Sequence, residues 1–238
     1  MKAELYFTYA GLTDQDLLGK TVVVIDVLRA CTVICTAFAA GCREIIPVRS
    51  VGDGSALLAN LDRGVVLLAG ERDGYKVEGF DLGNSPFEFT KQVVRDKTII
   101  LASTNGSKAI VLGSNGETCL AASFVNISTV VERVTAIDRD IVIICSGKES
   151  TFSLEDAICG GMMLSLLKGK VELANDAACV ACMLYDNYKN NLVSALRGCD
   201  HGHYLASIGF GGDIDYAAGV DTVGVLPRWD NGRLITDK

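Results

Sequence analysis

The chain has 238 residues, 49% of them hydrophobic, with 25 Gly and only 3 Pro, a composition that buries a sizeable core and excludes disordered or low-complexity classes. Against 29 Asp+Glu stand 22 Lys+Arg, for a net charge of −7 with no basic tract, which argues against nucleic acid as a partner. No apolar run approaches the ~20 residues that span a bilayer, so no membrane association is expected, and MKAELYFTYAGLTDQD lacks the apolar stretch of a signal peptide.

In chain order, residues 4 to 9 (ELYFTY) alternate weakly and suit a first strand, and Thr13 to Gly19 is a polar lead-in. Val22 to Ile25 is a solid β-branched run, the mark of a strand with both faces buried. It stops on Asp26; Arg29 follows, then an alanine-rich helical run that ends at Ala40-Gly41. A carboxylate and a guanidinium at one strand end suit a divalent cation and a phosphoanion; the plainer reading is an Asp capping the helix with the Arg paired to it. Glu44 to Val48 is a short strand, which Pro47 either places at an edge or brings to its end. Val51 to Leu61 suits a helix, and Val65 to Ala69 is another buried strand.

Gly70 to Pro86 (GERDGYKVEGFDLGNSP) reads as one long loop rich in Gly and charge, of the kind that carries function. Its Glu71, Asp81, Asn84 and Ser85 are candidate site residues, with Ser85 also an N-cap ahead of Pro86. Thr98 to Ala102 is a strand whose turn, Ser103-Thr104-Asn105-Gly106-Ser107-Lys108, opens a helix. Hydroxyls, backbone N–H groups and a helix N-terminus converge there as they do on an anion, although the Walker A spacing is absent. Cys119 to Ala122 is a further strand. Ile141 to Cys145 is the next, followed by the polar loop 146–150 and a helix opened by Ser153-Leu154-Glu155-Asp156. Ser153 with Asp156 has the form of a capping box; the functional alternative sets Glu155 or Asp156 beside Asp26 around a metal. Asn175 to Tyr188 and Leu192 to Gly198 are helical. His201-Gly-His203 reads as a loop, Val223 to Pro227 as a last strand, and 228–238 as a polar tail. The nine cysteines mostly lie in apolar runs (Cys35, Cys119, Cys145 and Cys159 among them) and read as buried thiols of a cytoplasmic protein. The lone Cys179-x-x-Cys182 falls within a helix and lacks a zinc or redox setting.

Three strand–turn–helix units, at Thr21, Thr98 and Ile141, place the chain in the α/β class. The expected architecture is a three-layer α/β/α sandwich on a mixed or mainly parallel sheet, with the ligand site at the C-terminal ends of the strands. Residues 1–238 read as one compact unit. A division near residues 120–140 into two intertwined subdomains stays open, as does a homo-oligomer.

DVLRACT (26–32), GERDGYKVEGFDLGNSP, STNGS (103–107), FSLEDAICGG (152–161), NDAA (175–178) and HGHYLASIGF (201–210) together resemble the 2-phosphosulfolactate phosphatase family, in its order and over about residues 21–227. Cys31 stands where the family pattern has Thr, and Ser103 likewise. The resemblance implies a Mg²⁺-dependent phosphatase that hydrolyses (2R)-2-phospho-3-sulfolactate to 3-sulfolactate and phosphate on the route to coenzyme M. On that reading Asp26 is the first metal ligand, with Glu155 or Asp156 and then Glu71 or Asp81 as partners. Arg29 clamps the anion, with Asn84, Ser85, Thr104, Asn105, Gly106 and Ser107 beside it. His201 protonates the leaving alkoxide, and Asp26 as a nucleophile is the alternative to Asp26 as a ligand. Two other classes remain: a hydrolase of another small phospho-hydroxy acid, and a non-catalytic binder of small anions.

Overall fold

The apolar runs become strands covered on both faces. The computed structural model describes residues 1–59, 61–148 and 151–236. Its strands are β1 (Lys2–Tyr6), β2 (Thr21–Ile25), β3 (Glu44–Val48), β4 (Val66–Arg72), β5 (Tyr75–Lys76) and β6 (Thr98–Ala102). They continue with β7 (Thr118–Ala122), β8 (Ile141–Cys145), β9 (Glu172–Leu173), β10 (Arg228–Asp230) and β11 (Arg233–Ile235). The eleven form one sheet in the order β5-β4-β6-β3-β11-β10-β7-β2-β8-β1-β9. β4, β6 and β3 pair in parallel, as do β7, β2, β8, β1 and β9. The antiparallel β10–β11 hairpin is wedged between the two parallel groups, through Arg228↔Leu120 on one side and Leu234↔Ile45 on the other.

The helices are α1 (Asp14–Leu17), α2 (Ala30–Ala39), α3 (Val51–Leu58), α4 (Lys91–Val94), α5 (Gly106–Gly113) and α6 (Ile127–Ile137). After them come α7 (Leu154–Leu166), α8 (Asp176–Tyr188), α9 (Leu192–Gly198), α10 (Asp200–Ser207) and α11 (Gly211–Ala217). Successive β2 residues point to opposite faces. Val23 and Ile25 join a core built with α6 to α11, while Val22 and Val24 join one built with α2 and α5. The result is three layers, α/β/α. Helix α7 is buried almost all round because it lies between the sheet and α8. Gly161 makes that packing close: a Cβ there would stand 2.5 Å from the Ala181 carbonyl carbon and 2.9 Å from Tyr185 Cβ.

Several expectations need correction. The first strand is Lys2–Tyr6, shifted toward the N-terminus. β3 is interior, flanked by β6 and β11; Pro47 is tolerated because the β11 pairing reaches only Ile45. The 70–86 loop begins as a hairpin, since β4 turns at Asp73-Gly74 straight into β5. The final strand is not 223–227, and the tail is not irregular. Residues 222–227 run outside the ladder, holding the fold through Val223 N–H to Val125 O and Ala121 N–H to Pro227 O. The strands are β10 and β11, joined at Asn231-Gly232 with φ of 46° and 89°, as a two-residue primed turn requires. His201 and His203 lie in helix α10 rather than in a loop. Residues Glu149 and Ser150 of the expected polar loop, and 237–238 of the expected tail, lie outside the described residues. Among the described residues, no helix is long and apolar enough to cross a membrane.

Candidate active site

The turns after β2, β4, β6 and β8 meet at the C-terminal side of the sheet around a cleft of about 280 Å³. At its base lies Asp26, where β2 gives way to α2. Oδ1 accepts the Ala30 N–H at 3.0 Å, which anchors the carboxylate to the first turn of the helix. The other oxygen faces the start of α5. A Cβ on Gly106 would collide with the Asp26 carboxylate and stand 2.6 Å from Ala30 Cβ, so the absence of a side chain lets the α5 N-terminus approach. Asn105 gives α5 no side-chain cap. Among the described residues the Asn105 and Gly106 N–H groups have no acceptor, as an anion-binding helix start has.

Two further carboxyls lie behind Asp26. Asp156 is fully used by the scaffold: Oδ1 accepts the Val27 N–H at 2.8 Å, and Oδ2 accepts the Ser146 hydroxyl at 3.2 Å and the Gly147 N–H at 3.3 Å. It makes no capping box with Ser153, because it turns inward to tie the β2 and β8 turns together. Glu155 Oε1 lies 3.3 Å from His201 Nδ1. Burial pushes the Asp26 carboxyl up to about 6, against the pull of the Ser146 hydroxyl and of His201. Burial, then the charges of Asp26 and Glu155, hold Asp156 well above the ordinary carboxylate range. Burial also acts upward on Glu155, but its contact with the His201 ring outweighs that, and the carboxyl lies below its ordinary value.

Arg29 lines the cleft but does not pair with Asp26. Its Nη1 donates to Asp213 Oδ2 at 2.8 Å and its Nη2 to the Gly74 carbonyl at 2.6 Å, while the guanidinium stacks 4.4 Å from the Phe210 ring centroid. The Ser85 hydroxyl donates to Asp213 Oδ1 at 2.7 Å, so Ser85 fixes the partner of Arg29 rather than facing the cleft. The Leu28–Arg29 peptide bond is cis.

Asn84, Thr104 and Asn105 line the cleft. The Asn84 Oδ1 is buried with no donor, the one cleft atom so placed among the described residues. Ser107 is buried in the turn, accepting the Ser103 N–H at 3.1 Å and donating to the Leu101 carbonyl at 3.1 Å, and does not reach the cleft. Glu71 lines the cleft with both oxygens taken, one by the Gly74 N–H and the other by the Thr104 N–H and hydroxyl. Asp81 is exposed and caps the Leu68 N–H at 2.8 Å, away from the cleft. Cys31 is buried against the Val24 carbonyl, whereas Ser103 lines the cleft while its hydroxyl contacts Ser107.

For a divalent cation the buried cleft oxygens are those of Asp26 and the orphaned Asn84 Oδ1, and the exposed Asp73 carboxylate lines the same cleft. Among the described residues no group of three or more His, Cys, Asp or Glu side chains is arranged to hold a metal ion. That suits Mg²⁺, which takes one or two protein oxygens and keeps its other positions for water and phosphate. Sequence reasoning missed Asp213, Gly74, Lys148 and Tyr204, all contributors to the site. Lys148 follows the end of β8 as Arg29 follows β2, so its strand-end position was the available signal. Asp213, 184 residues from Arg29, had none.

The family described as 2-phosphosulpholactate phosphatase matches residues 6–232. The chain belongs to the 2-phosphosulpholactate phosphatase family. Its members are, by that description, phosphoric monoester hydrolases. Relatives lie close along the full length. A protein of Carboxydothermus hydrogenoformans is 39% identical over 100% of this chain and 98% of its own. One from Caldanaerobacter subterraneus subsp. tengcongensis is 37% identical over 100% and 99%, and one from Clostridium novyi 35% over 96% and 97%. Each is named a probable 2-phosphosulfolactate phosphatase. The family's match therefore takes in all four turns that form the cleft.

Proposed function

We propose that this phosphatase hydrolyses (2R)-2-phospho-3-sulfolactate to 3-sulfolactate and phosphate with the help of Mg²⁺. The observation that carries the reading is one cleft in which a buried carboxylate, Asp26, faces the bare N-terminus of α5. Asp26 and Asn84 would hold the cation, which when bound neutralises charge on the phosphoryl oxygens and orients water. The Asn105 and Gly106 N–H groups and the positive end of α5 take the non-bridging phosphoryl oxygens. Arg29, held rigid by Asp213 and Gly74, adds a fixed positive edge to the same wall. Glu155 holds His201 by Nδ1, leaving Nε2 to pass a proton to the alkoxide that departs. The pathway to coenzyme M and a cytoplasmic setting are part of this proposal.

The test is phosphate release from 2-phosphosulfolactate, 2-phospholactate and phosphoglycolate in the presence of Mg²⁺. Preference for the sulfonated ester is expected. Equal or better turnover of phosphoglycolate would move the substrate to another phospho-hydroxy acid. Absence of turnover in folded protein would remove the catalytic reading.

A further inference from the structure

The cleft has three basic side chains, Arg29, Lys148 and His201. Two are already engaged: Arg29 by Asp213 and the Gly74 carbonyl, His201 by Glu155. Lys148 is different. It makes no ion pair among the described residues, and its Nζ lies 5.2 Å from the Tyr204 ring centroid. That ring is itself held by its hydroxyl bond to the Asp73 carbonyl at 2.9 Å. An ammonium on a fixed aromatic face, with no carboxylate partner among the described residues, is an anion receptor whose position is set in advance.

Its place in the fold indicates which anion. In the sheet, β8 lies on one side of β2 and β6 on the other. The turn carrying Lys148 and the turn carrying Thr104 and Asn105 therefore reach Asp26 from opposite sides. A phosphoryl group at Asp26 and the α5 N-terminus leaves the rest of the substrate pointing toward Lys148. There the cleft adjoins a second cavity of about 460 Å³, with Lys148 and His201 lining both.

We propose that Lys148, seated on Tyr204, receives the sulfonate of the substrate and sets the preference for sulfonated esters. This rests on the phosphatase reading above.

The experiment compares wild type, Lys148→Met and Lys148→Arg on 2-phosphosulfolactate and on 2-phospholactate, which keeps the carboxylate but has no sulfonate. One charge-assisted hydrogen bond corresponds to about 10- to 100-fold. Lys148→Met is expected to lose that factor in kcat/KM for the sulfonated ester, mostly through KM. It should leave 2-phospholactate within about threefold, and Lys148→Arg should recover most of the loss. Equal loss on both esters assigns Lys148 to the carboxylate or phosphate and overturns the proposal, as does no loss on either. Calorimetry with 3-sulfolactate separates this from the catalytic reading. Weaker binding of 3-sulfolactate to Lys148→Met, with lactate binding unchanged, supports Lys148 even in a protein that releases no phosphate. Unchanged 3-sulfolactate binding refutes it.

Discussion

Asp213→Ala should be among the most damaging substitutions in this chain. Both side chains of the Arg29–Asp213 pair are 3% exposed and their N–O separation is 2.8 Å. Removing the carboxylate leaves the guanidinium buried with only the Gly74 carbonyl and the Phe210 face for compensation. Breaking a buried pair in this way costs about 3–5 kcal/mol. The Ser85 hydroxyl also loses its acceptor, at about 1 kcal/mol more. Replacing both charges behaves differently, because two apolar groups leave no uncompensated charge. The Arg29→Met/Asp213→Leu double variant should lose markedly less stability than the two single losses combined. Urea unfolding midpoints at constant m-value measure all of these. An Asp213→Ala loss below about 1 kcal/mol, or strict additivity in the double variant, would refute a desolvated pair whose members depend on each other.

Asp26 carries a pH signature. Its folded value of about 6 lies above the ordinary 3.8, so the folded state binds the proton more tightly and stability falls as pH climbs through that window. In EDTA, Asp26→Asn should lack this loss and so gain on wild type between pH 4.5 and 7; midpoints that move in parallel would contradict the assignment. Gly106→Ala should cost about 1–3 kcal/mol of overpacking and most of the turnover, because the new Cβ forces α5 away from Asp26 and Ala30; near-normal activity would mean the α5 approach is not needed. Burial pushes the Cys42 and Cys119 thiols up to about 12. Alkylation of the native chain at pH 8 should therefore reach only Cys179 and Cys182, the two that are not buried, with all nine reacting after unfolding.

The strands that frame the site were legible because their signal is local. β2, β6 and β8 are unbroken apolar runs, and each ends on polar residues that form a cleft turn. The helices α2, α5, α7 and α8 were legible for the same reason. What escaped was short or distant. Asp73-Gly74 and Asn231-Gly232 both have the composition of two-residue hairpin turns, but their strands are only two to seven residues long and barely alternate. The helix α10 was hidden by its two histidines and Gly202, which interrupt the apolar period of the segment. Roles were harder than elements. Asp156 looks from sequence like a cap or a metal ligand; only the packing of β2 beside β8 brings the Val27 and Gly147 N–H groups to it. Arg29 looked like a clamp for substrate, and it takes a distant helix, α11, to supply the carboxylate that balances it.

The most direct measurement of the central claim is phosphate release from 2-phosphosulfolactate across a Mg²⁺ titration, by wild type, Asp26→Asn and Asn84→Ala, each checked for folding. The account predicts Mg²⁺-dependent turnover in wild type, near-complete loss in Asp26→Asn, and a higher Mg²⁺ requirement in Asn84→Ala. Turnover that ignores Mg²⁺, or that survives Asp26→Asn, would contradict it.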